Sequence, residues 1–145
     1  MLPKYWRLRF INETGQIMTF NDGAAIAVRI LPWKLVSGVL TYGTVIEDDM
    51  GFGAGQTIAD DGESEGDVQD NTSNKYWGAH GVFTVTHDLD AAVGVCRLYF
   101  ESCDDNSSWP SDSDDFVITD LGLPVKTIPI DNSAVDKSRR VNFVL

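Results

Sequence analysis

The sequence predicts an all-β protein, an antiparallel β-sandwich or jelly roll. Apolar residues recur with a period of two along most of the chain, as they do in half-buried strands. No long segment shows the period of an amphipathic helix. Turn-forming residues divide the alternating segments into about nine short strands, a number typical of such sandwiches. The length of 145 residues suits a single domain covering residues 1–145.

The first strand has the clearest alternation. Its apolar face consists of Trp6, Leu8 and Phe10. The residues between them, which make the other face mostly polar, are Tyr5, Arg7, Arg9 and Ile11. The Glu-Thr-Gly sequence at residues 13–15 is typical of a hairpin turn, so residues 16–20 are predicted to return as the antiparallel partner of this strand.

Seven further strands follow from the same pattern. Their predicted bounds are residues 25–31, 39–46, 82–87, 95–102, 116–119, 125–130 and 140–145. Leu98 and Phe100 lie on the same side of their strand and are predicted core residues. A brief helical turn is predicted only at residues 133–138.

The alternating pattern stops between residues 47 and 74. This segment contains five glycines and, from Glu47 to Asp70, nine acidic residues without one Lys or Arg. A segment of this length without a pattern of its own is usually functional or disordered. Residues 47–74 are therefore predicted to form a protruding, acidic, Gly-rich loop or arm that contacts neighbouring subunits.

The chain carries a formal net charge of −11, with 22 Asp and Glu residues against 11 Lys and Arg residues. Nucleic acids and anionic membranes attract basic surfaces, because Lys and Arg replace the counterions at their phosphates. Neither is therefore expected as a partner. No apolar run reaches the roughly 18 residues of a membrane-spanning helix, and the N-terminal segment lacks the apolar run of a secretory signal.

No arrangement of residues typical of catalysis is found in the sequence. His80 and His87 are seven residues apart, which places them on opposite faces of a strand. The glycines of residues 51–55 lack the Gly-Lys-Ser/Thr ending of a phosphate-binding loop. A glycosidase needs two carboxylates in one cleft, and the sequence places no such pair together. The chain is therefore predicted to be non-enzymatic and to need no cofactor.

Two acidic clusters have the oxygen-rich composition of calcium sites. The first is residues 60–67, and the second comprises Asp112, Asp114 and Asp115 near Asp104 and Asp105. Neither has the ligand spacing of a known calcium-binding loop, and both are interpreted as solvated loops. No metal site is predicted.

The two cysteines, Cys96 and Cys103, lie at the two ends of one predicted strand. Extended chain of this length spans roughly 23 Å, whereas a disulfide needs Cα atoms within about 7 Å. Both cysteines are therefore predicted to be free thiols.

Tryptophan residues suggest an alternative function. Trp33, Trp77 and Trp109 would suit the aromatic walls of a sugar site, which makes a carbohydrate-binding β-sandwich module an alternative. Most aromatic residues pack in the core of a sandwich or at its rim. Trp109 lies in a polar segment and is less easily placed in a core. It is predicted either to cap the open end of the sandwich or to contact a partner, and capping is favoured.

From Val95 onward, the sequence resembles small β-sandwich proteins of tailed bacteriophage virions. The resemblance rests on a strand at residues 96–102, a polar loop with the sequence Trp109-Pro110-Ser111-Asp112, and a closing strand at residues 140–145. Such proteins include capsid decoration (cement) proteins, which are often trimers seated where major capsid proteins meet. They also include tail and head-to-tail connector subunits.

The resemblance implies a non-enzymatic capsid decoration protein that stabilises the phage head. Its expected partners are the major capsid protein or other virion proteins, and its expected state is a homotrimer. Its expected location is the virion, after assembly in the host cytoplasm. A tail or connector subunit is the alternative within the same resemblance.

The most basic segment of this acidic chain is its first strand, with Lys4, Arg7 and Arg9. In a decoration protein, these side chains would dock on an acidic capsid surface. The other interpretation is an ordinary first strand. The predicted partner-binding residues are Lys4, Arg7, Arg9 and Trp109.

Overall fold

The structure is a computed structural model, and it describes residues 1–19, 26–48, 57–87, 94–113, 117–130 and 137–145. Within these ranges the chain forms twelve β-strands and two short 3₁₀ helices, at Pro110–Asp112 and Ile118–Leu121. The strands are β1 (Tyr5–Glu13), β2 (Met18–Thr19), β3 (Ile26–Val36), β4 (Val39–Tyr42), β5 (Ile46–Asp48), β6 (Thr57–Ile58), β7 (Glu63–Glu65), β8 (Gln69–Asp70), β9 (Gly78–His87), β10 (Gly94–Cys103), β11 (Lys126–Ile130) and β12 (Lys137–Val144). The prediction of an all-β protein is confirmed.

Two antiparallel sheets pack against each other as a β-sandwich. The first sheet has the order β11-β10-β1, and both β7 and β8 pair with the far edge of β1. The second sheet has the order β12-β9-β3, and both β4 and β5 pair with the far edge of β3. A separate two-stranded ladder joins β2 to β6. The long strands β1 and β3 therefore lie inside their sheets, with partners on both sides.

The core lies between the sheets and is built by every second residue of the long strands. Trp6, Leu8 and Phe10 of β1 are at most 2% exposed, as the alternation predicts. The buried residues of the second sheet that complete this core include Ile26, Val28, Ile30, Phe83 and Val85. Burying a side chain of this size stabilises the fold by about 1.5–3 kcal/mol.

Both predicted core residues of β10 pack on this core. Leu98 is fully buried. Phe100 is only partly buried, and its ring stacks on that of Trp6 with the centroids 5.8 Å apart. Cys96 and Cys103 are free thiols at the two ends of the strand, as predicted. Burial raises the pKa of the Cys96 thiol to about 12, and the negative charge of Glu13 adds to this effect.

The predicted hairpin between the first strand and residues 16–20 is wrong. β1 pairs with β10 along its whole length, while Met18 of β2 lies opposite Ile58 of β6. The chain does turn after β1, with Gly15 at a φ of 77°, but it then leaves the first sheet. Met18 enters the core and is fully buried there, so the apolar contacts of this side chain decide where the strand goes.

Two predictions near the C-terminus also differ from the structure. A 3₁₀ helix at Ile118–Leu121 replaces the strand predicted at residues 116–119. Asp120 N–H donates to the Val117 carbonyl at 2.7 Å, and the Asp120 carboxylate accepts the Val117 N–H at 3.0 Å. This local pair of hydrogen bonds competes with a strand ladder. The helical turn predicted at residues 133–138 falls partly outside the described residues, and Lys137 already begins β12.

The predicted arm at residues 47–74 lies along the sandwich wherever the structure describes it. Residues 47–48 belong to β5, and β7 and β8 extend the first sheet beside β1. Residues 49–56 lie outside the described residues. The expectation of a protruding arm is therefore wrong for residues 57–74. These strands are only two or three residues long, so no alternating pattern exists to reveal them.

A buried asparagine holds the beginning of this segment. Asn12 Nδ2 donates hydrogen bonds to the carbonyl oxygens of Gln16 at 2.8 Å and Ala59 at 2.9 Å. It also donates to the Ile58 carbonyl at 3.3 Å. Asn12 Oδ1 accepts the Thr14 hydroxyl at 2.7 Å. One side chain therefore ties the turn after β1 to the strand β6.

A second buried asparagine holds the end of the segment. Asn71 N–H donates to the Lys4 carbonyl at 2.7 Å. Its Nδ2 donates to the Leu2 carbonyl at 3.0 Å, and its Oδ1 accepts the Tyr76 N–H at 2.7 Å. The segment is thus fixed by polar bonds from two asparagines, more than by rows of apolar side chains.

Replacing Asn12 with Ala should destabilise the fold, because three carbonyl groups lose their shared donor. We expect the free energy of unfolding to fall by about 2–4 kcal/mol, since a polar group left without its partner costs about 1–3 kcal/mol. Urea denaturation measures this change. The exposed Asn74→Ala is the control and should change the free energy of unfolding by less than about 0.5 kcal/mol. Equal effects of the two substitutions would show that Asn12 is not an anchor.

Candidate functional site

The outer face of the first sheet carries five charged side chains in mutual contact, which we call the ion cluster: Arg7, Arg9, Glu63, Glu65 and Glu101. The alternation along β1 turns both arginines away from the core, and the register places Arg7 beside Glu101 and Arg9 beside Glu65. The side chains of Arg7 and Arg9 are 9% and 2% exposed, and that of Glu101 is 0% exposed. Charged groups are buried to this extent only when they are paired.

The two arginines share their carboxylates. Arg7 Nε donates to Glu101 Oε2 at 2.6 Å, and Arg7 Nη1 donates to Glu65 Oε2 at 2.5 Å. Arg9 Nη1 lies 2.9 Å from Glu63 Oε1, and Arg9 Nη2 donates to Glu65 Oε1. Arg9 Nη2 also lies 3.5 Å from Glu101 Oε2. Because each arginine contacts more than one carboxylate, the five side chains form a network of coupled interactions.

The segment after β10 closes over the ion cluster. The Arg7 guanidinium carbon lies 4.3 Å from the centroid of the Trp109 ring, which is a cation–π contact. Arg7 Nη2 donates to Ser111 Oγ at 2.9 Å, and Ser111 N–H donates to Glu101 Oε1 at 2.9 Å. Trp109 is 8% exposed in this position. It therefore covers the outer face of a sheet and not the open end of the sandwich, where capping was predicted.

The structure does not support the predicted docking of Arg7 and Arg9 on an acidic partner. Both guanidinium groups already face carboxylates of their own chain and are buried. Of the four predicted partner-binding residues, Lys4 alone has an exposed side chain. The predicted docking was based on the basic composition of the first strand. Composition alone does not show that the acidic strand β7 lies beside β1.

The environment of Glu101 favours its charged form. Burial acts to raise the pKa of this carboxyl, but hydrogen bonds from Arg7 and Ser111 and the positive charge of Arg7 outweigh burial. The pKa of Glu101 is therefore held below its ordinary value. The ion cluster is a structural feature whose strength depends on Glu101 remaining ionised.

The second sheet presents a different kind of surface, beginning with a hairpin that extends beyond the sandwich. The pairing of β3 with β9 ends at Trp33, and from there β3 pairs only with β4, up to Val36 opposite Val39. Ser37 and Gly38 form the turn, with φ angles of 51° and 81°. Two positive φ angles suit a two-residue turn between twisted strands. The Ser-Gly pair marks this turn in the sequence, but the strand predicted at residues 25–31 ends before it.

Residues 35–42, which we call the apolar hairpin, carry no charged side chain. Five of their large side chains are 39–66% exposed, namely Leu35, Val36, Val39, Leu40 and Tyr42. The register places Leu35 beside Leu40 on the face that also carries Tyr42, and the two valines on the other face. Contiguous exposed apolar residues of this kind mark interaction sites.

The base of the apolar hairpin is held in place. Lys34 Nζ donates to the Asn74 carbonyl at 2.8 Å and lies 5.4 Å from the centroid of the Tyr76 ring. Trp77 N–H donates to the Trp33 carbonyl at 2.8 Å. These contacts fix the direction in which the hairpin leaves the sandwich.

A groove of about 610 Å³ lies on the outer face of the second sheet. Its lining includes the apolar Leu31 and Val82 and the polar Arg29, Glu47, His80 and Asn142. Its volume falls within the range of about 300–1,000 Å³ seen for binding sites. The Trp33 ring at the base of the hairpin stacks on His80, with the centroids 6.5 Å apart, so groove and hairpin are continuous. We call the two together the docking surface.

The three tryptophans considered for a sugar site do not meet. Trp77, which directly precedes β9, donates its N–H to the Trp33 carbonyl of β3 and is 44% exposed. Trp109 lies over Arg7 on the outer face of the first sheet. A sugar site walled by all three is therefore wrong.

Carboxylates of the predicted acidic clusters accept hydrogen bonds from backbone N–H groups, either of a distant turn, as Asp60 does, or of their own turn, as Asp105 does. Asp60 Oδ1 accepts the Gly15 N–H at 2.8 Å. Hydrogen bonds from Ser108 and Ser107 hold the pKa of Asp105 well below its usual range. Across the described ranges, no group of three or more His, Cys, Asp or Glu side chains is placed to hold a metal ion. Asp114 and Asp115 lie outside those ranges.

Comparisons with protein-family models, with curated proteins and with solved structures find no match for this chain. Among the described residues, no helix has the length and apolar character needed to cross a membrane.

Replacing Glu101 with Gln should weaken the ion cluster and reduce the pH dependence of the free energy of unfolding. At neutral pH we expect the free energy of unfolding to fall by about 1.5–3 kcal/mol, because Arg7 loses one of its two carboxylate partners and a hydrogen bond to a charged group contributes about this much. The folded-state pKa of Glu101 is below its ordinary value of 4.5, so its stabilisation is present above that value and is lost as the pH falls through the folded-state pKa. Urea denaturation at a series of pH values should therefore show a smaller acid-induced loss in Glu101→Gln than in the wild type.

The matched control is Glu47→Gln, which changes the exposed pair of Arg29 and Glu47. These two side chains are 62% and 63% exposed, and exposed pairs contribute about 0–1 kcal/mol. We expect Glu47→Gln to leave both the free energy of unfolding and its pH dependence close to those of the wild type. Similar losses in the two variants would mean that burial does not distinguish the ion cluster from a surface pair.

Proposed function

We propose that this chain is a non-enzymatic structural protein of a tailed-bacteriophage virion, a capsid decoration (cement) protein that binds the assembled head through the docking surface. We propose that it acts as a homotrimer seated where major capsid proteins meet. The virion assignment is supported by the resemblance of residues 95–145 to small β-sandwich virion proteins. The mode of binding is supported by the apolar hairpin.

The exposure of the apolar hairpin is the observation that carries the proposal. The hairpin projects from a chain of net charge −11, yet it has no charge of its own. Leu35, Leu40 and Tyr42 lie side by side and are 39–50% exposed. Their burial against a partner would contribute roughly 1 kcal/mol for each side chain. Contact with an apolar pocket of a protein partner would remove these side chains from water, which is favourable.

The anchored base of the hairpin favours tight binding. Lys34 and Trp33 fix the hairpin before a partner arrives, so less conformational entropy is lost on association. The outer groove beside it offers Arg29, His80 and Asn142 as polar partners. Polar groups around an apolar centre set the orientation of a complex and exclude wrong partners.

Binding to heads is tested by co-sedimentation with capsids assembled from the major capsid protein of the source phage. Leu40→Ser places a polar group at the centre of the apolar hairpin, and Leu123→Ser is the matched control at a leucine that is 90% exposed elsewhere. We expect the wild type and Leu123→Ser to sediment with capsids. Leu40→Ser should keep the wild-type melting temperature and bind at least about tenfold more weakly, the equivalent of about 1.4 kcal/mol.

Parallel binding assays separate the other functions. A wild-type protein that binds isolated tails or connectors, and not heads, would replace the decoration role by a tail or connector role. Binding to a glycan array without binding to any virion part would replace it by a sugar-binding role, with the groove beside Trp33 and His80 as the site. Equal capsid binding by Leu40→Ser and the wild type would exclude the hairpin as the contact.

A further inference from the structure

The charges of this chain are distributed unequally between the two sides of the sandwich. On one side lie β11 and β12, which contact each other across the two sheets. These two strands, which we call the basic edge, contain no Asp or Glu. They contain four of the chain's 11 Lys and Arg residues, namely Lys126, Lys137, Arg139 and Arg140.

The opposite side has the opposite composition. It is formed by β5, β7 and β8, and the Asp67 N–H donates to Asp48 Oδ2 at 2.8 Å where the two sheets meet. These three strands, which we call the acidic edge, contain no Lys or Arg. They contain five acidic residues, namely Glu47, Asp48, Glu63, Glu65 and Asp70. Within the described residues, the side formed by β11 and β12 is therefore basic although the chain as a whole is acidic.

The basic edge presents a strand to its surroundings. In the described part of the chain, β12 pairs only with β9, so the other side of this eight-residue strand is open. Arg140 is exposed, and Val144 at the end of the strand is 65% exposed. An open strand of this length is a template for association, and its positive charges keep it from pairing with an identical strand.

The acidic edge remains negative despite the ion cluster. Arg7 and Arg9 pair with Glu65 and Glu63 but also contact Glu101, so three carboxylates share two arginines. Glu47 is paired with Arg29. Asp70, at the end of β8, is exposed. Between β7 and β8 the chain adds an exposed Asp67 and Val68, which is 41% exposed. Each edge therefore combines charge of one sign with an exposed valine.

We propose that the basic edge of one copy of this chain docks against the acidic edge of a second copy. Opposite charges steer the two edges together, whereas like edges repel, so the pairing of edges is specific. Every copy carries one edge of each kind, and repeated head-to-tail contacts of this type close into a ring when the rotation between copies permits. The inference rests on the self-association in the proposed function and names its interface.

Charge reversal on the two edges tests this interface. One variant combines Lys126→Glu with Arg140→Glu on the basic edge, and the other combines Glu47→Lys with Asp67→Lys on the acidic edge. All four positions are at least partly exposed, and the melting temperature of each variant checks its fold. Analytical ultracentrifugation should show self-association of the wild type and a loss of at least about tenfold in each variant alone, since like charges then meet.

Mixing the two variants gives the decisive result. The unchanged acidic edge of the first variant fits the unchanged basic edge of the second, and their two reversed edges have opposite charges. An equimolar mixture should therefore regain association that neither variant shows alone. Wild-type association should weaken as the Debye length falls from about 10 Å at 0.1 M salt to about 3 Å at 1 M. A monomeric wild type at 0.1 M salt, or variants that associate as the wild type does, would overturn the proposal.

The outcome is distinguishable from that of the capsid assay. A wild type that sediments with capsids while remaining a monomer in solution would overturn the edge interface and leave capsid decoration standing. A wild type that associates through its edges and binds no capsid would support the interface and remove the decoration role. The Leu40→Ser variant, whose substitution lies on neither edge, should associate as the wild type does.

Discussion

The ion cluster joins three segments that are far apart in the sequence. Arg7 and Arg9 are fixed on the outer face of β1 because their neighbours in the strand belong to the core. Guanidinium groups that lose water need carboxylates nearby, and β7 and β10 supply them. The closure of the polar segment around Trp109 over this face follows from the same need, because Ser111 bonds to both Arg7 and Glu101.

This cover over one face makes the outer surfaces of the two sheets different. The outer face of the first sheet is occupied by the chain's own β7 and by Trp109, and its two arginines are paired with carboxylates of the same chain. In the described part of the chain, the second sheet has no such cover over the groove that contains Arg29 and His80, and its hairpin is exposed. The apolar surface that we propose as the contact with a partner therefore lies on the second sheet, away from the basic strand that composition alone would suggest.

The sequence predicts the long strands well because burial on one face imposes a period of two. The alternation of Trp6, Leu8 and Phe10 is an example, and the fold class follows from several such segments. The short strands of residues 57–74 are held by Asn12 and Asn71 through bonds to distant carbonyl groups, and these bonds leave no periodic trace. The direction of the chain after β1 also depends on a tertiary contact.

The candidate site was less predictable for a physical reason. Composition identifies Arg7 and Arg9 as basic, but whether a charge is free or matched depends on which strand lies beside it. The Ser-Gly turn at residues 37–38 was visible in the sequence, yet the exposure of its flanking apolar residues follows only from where β9 stops pairing. Local turn chemistry could therefore have located the hairpin, though not its function.

Amide hydrogen exchange at neutral pH tests most directly whether the ion cluster and its neighbouring bonds make residues 57–74 part of the fold. Gly66 N–H donates to the Leu8 carbonyl at 2.8 Å, and Asn71 N–H donates to the Lys4 carbonyl at 2.7 Å. We expect both amides to be protected to a degree comparable with the amides of β10, because their exchange requires the segment to leave β1. Exchange of both at the rate of an unstructured chain, with β10 still protected, would contradict this account.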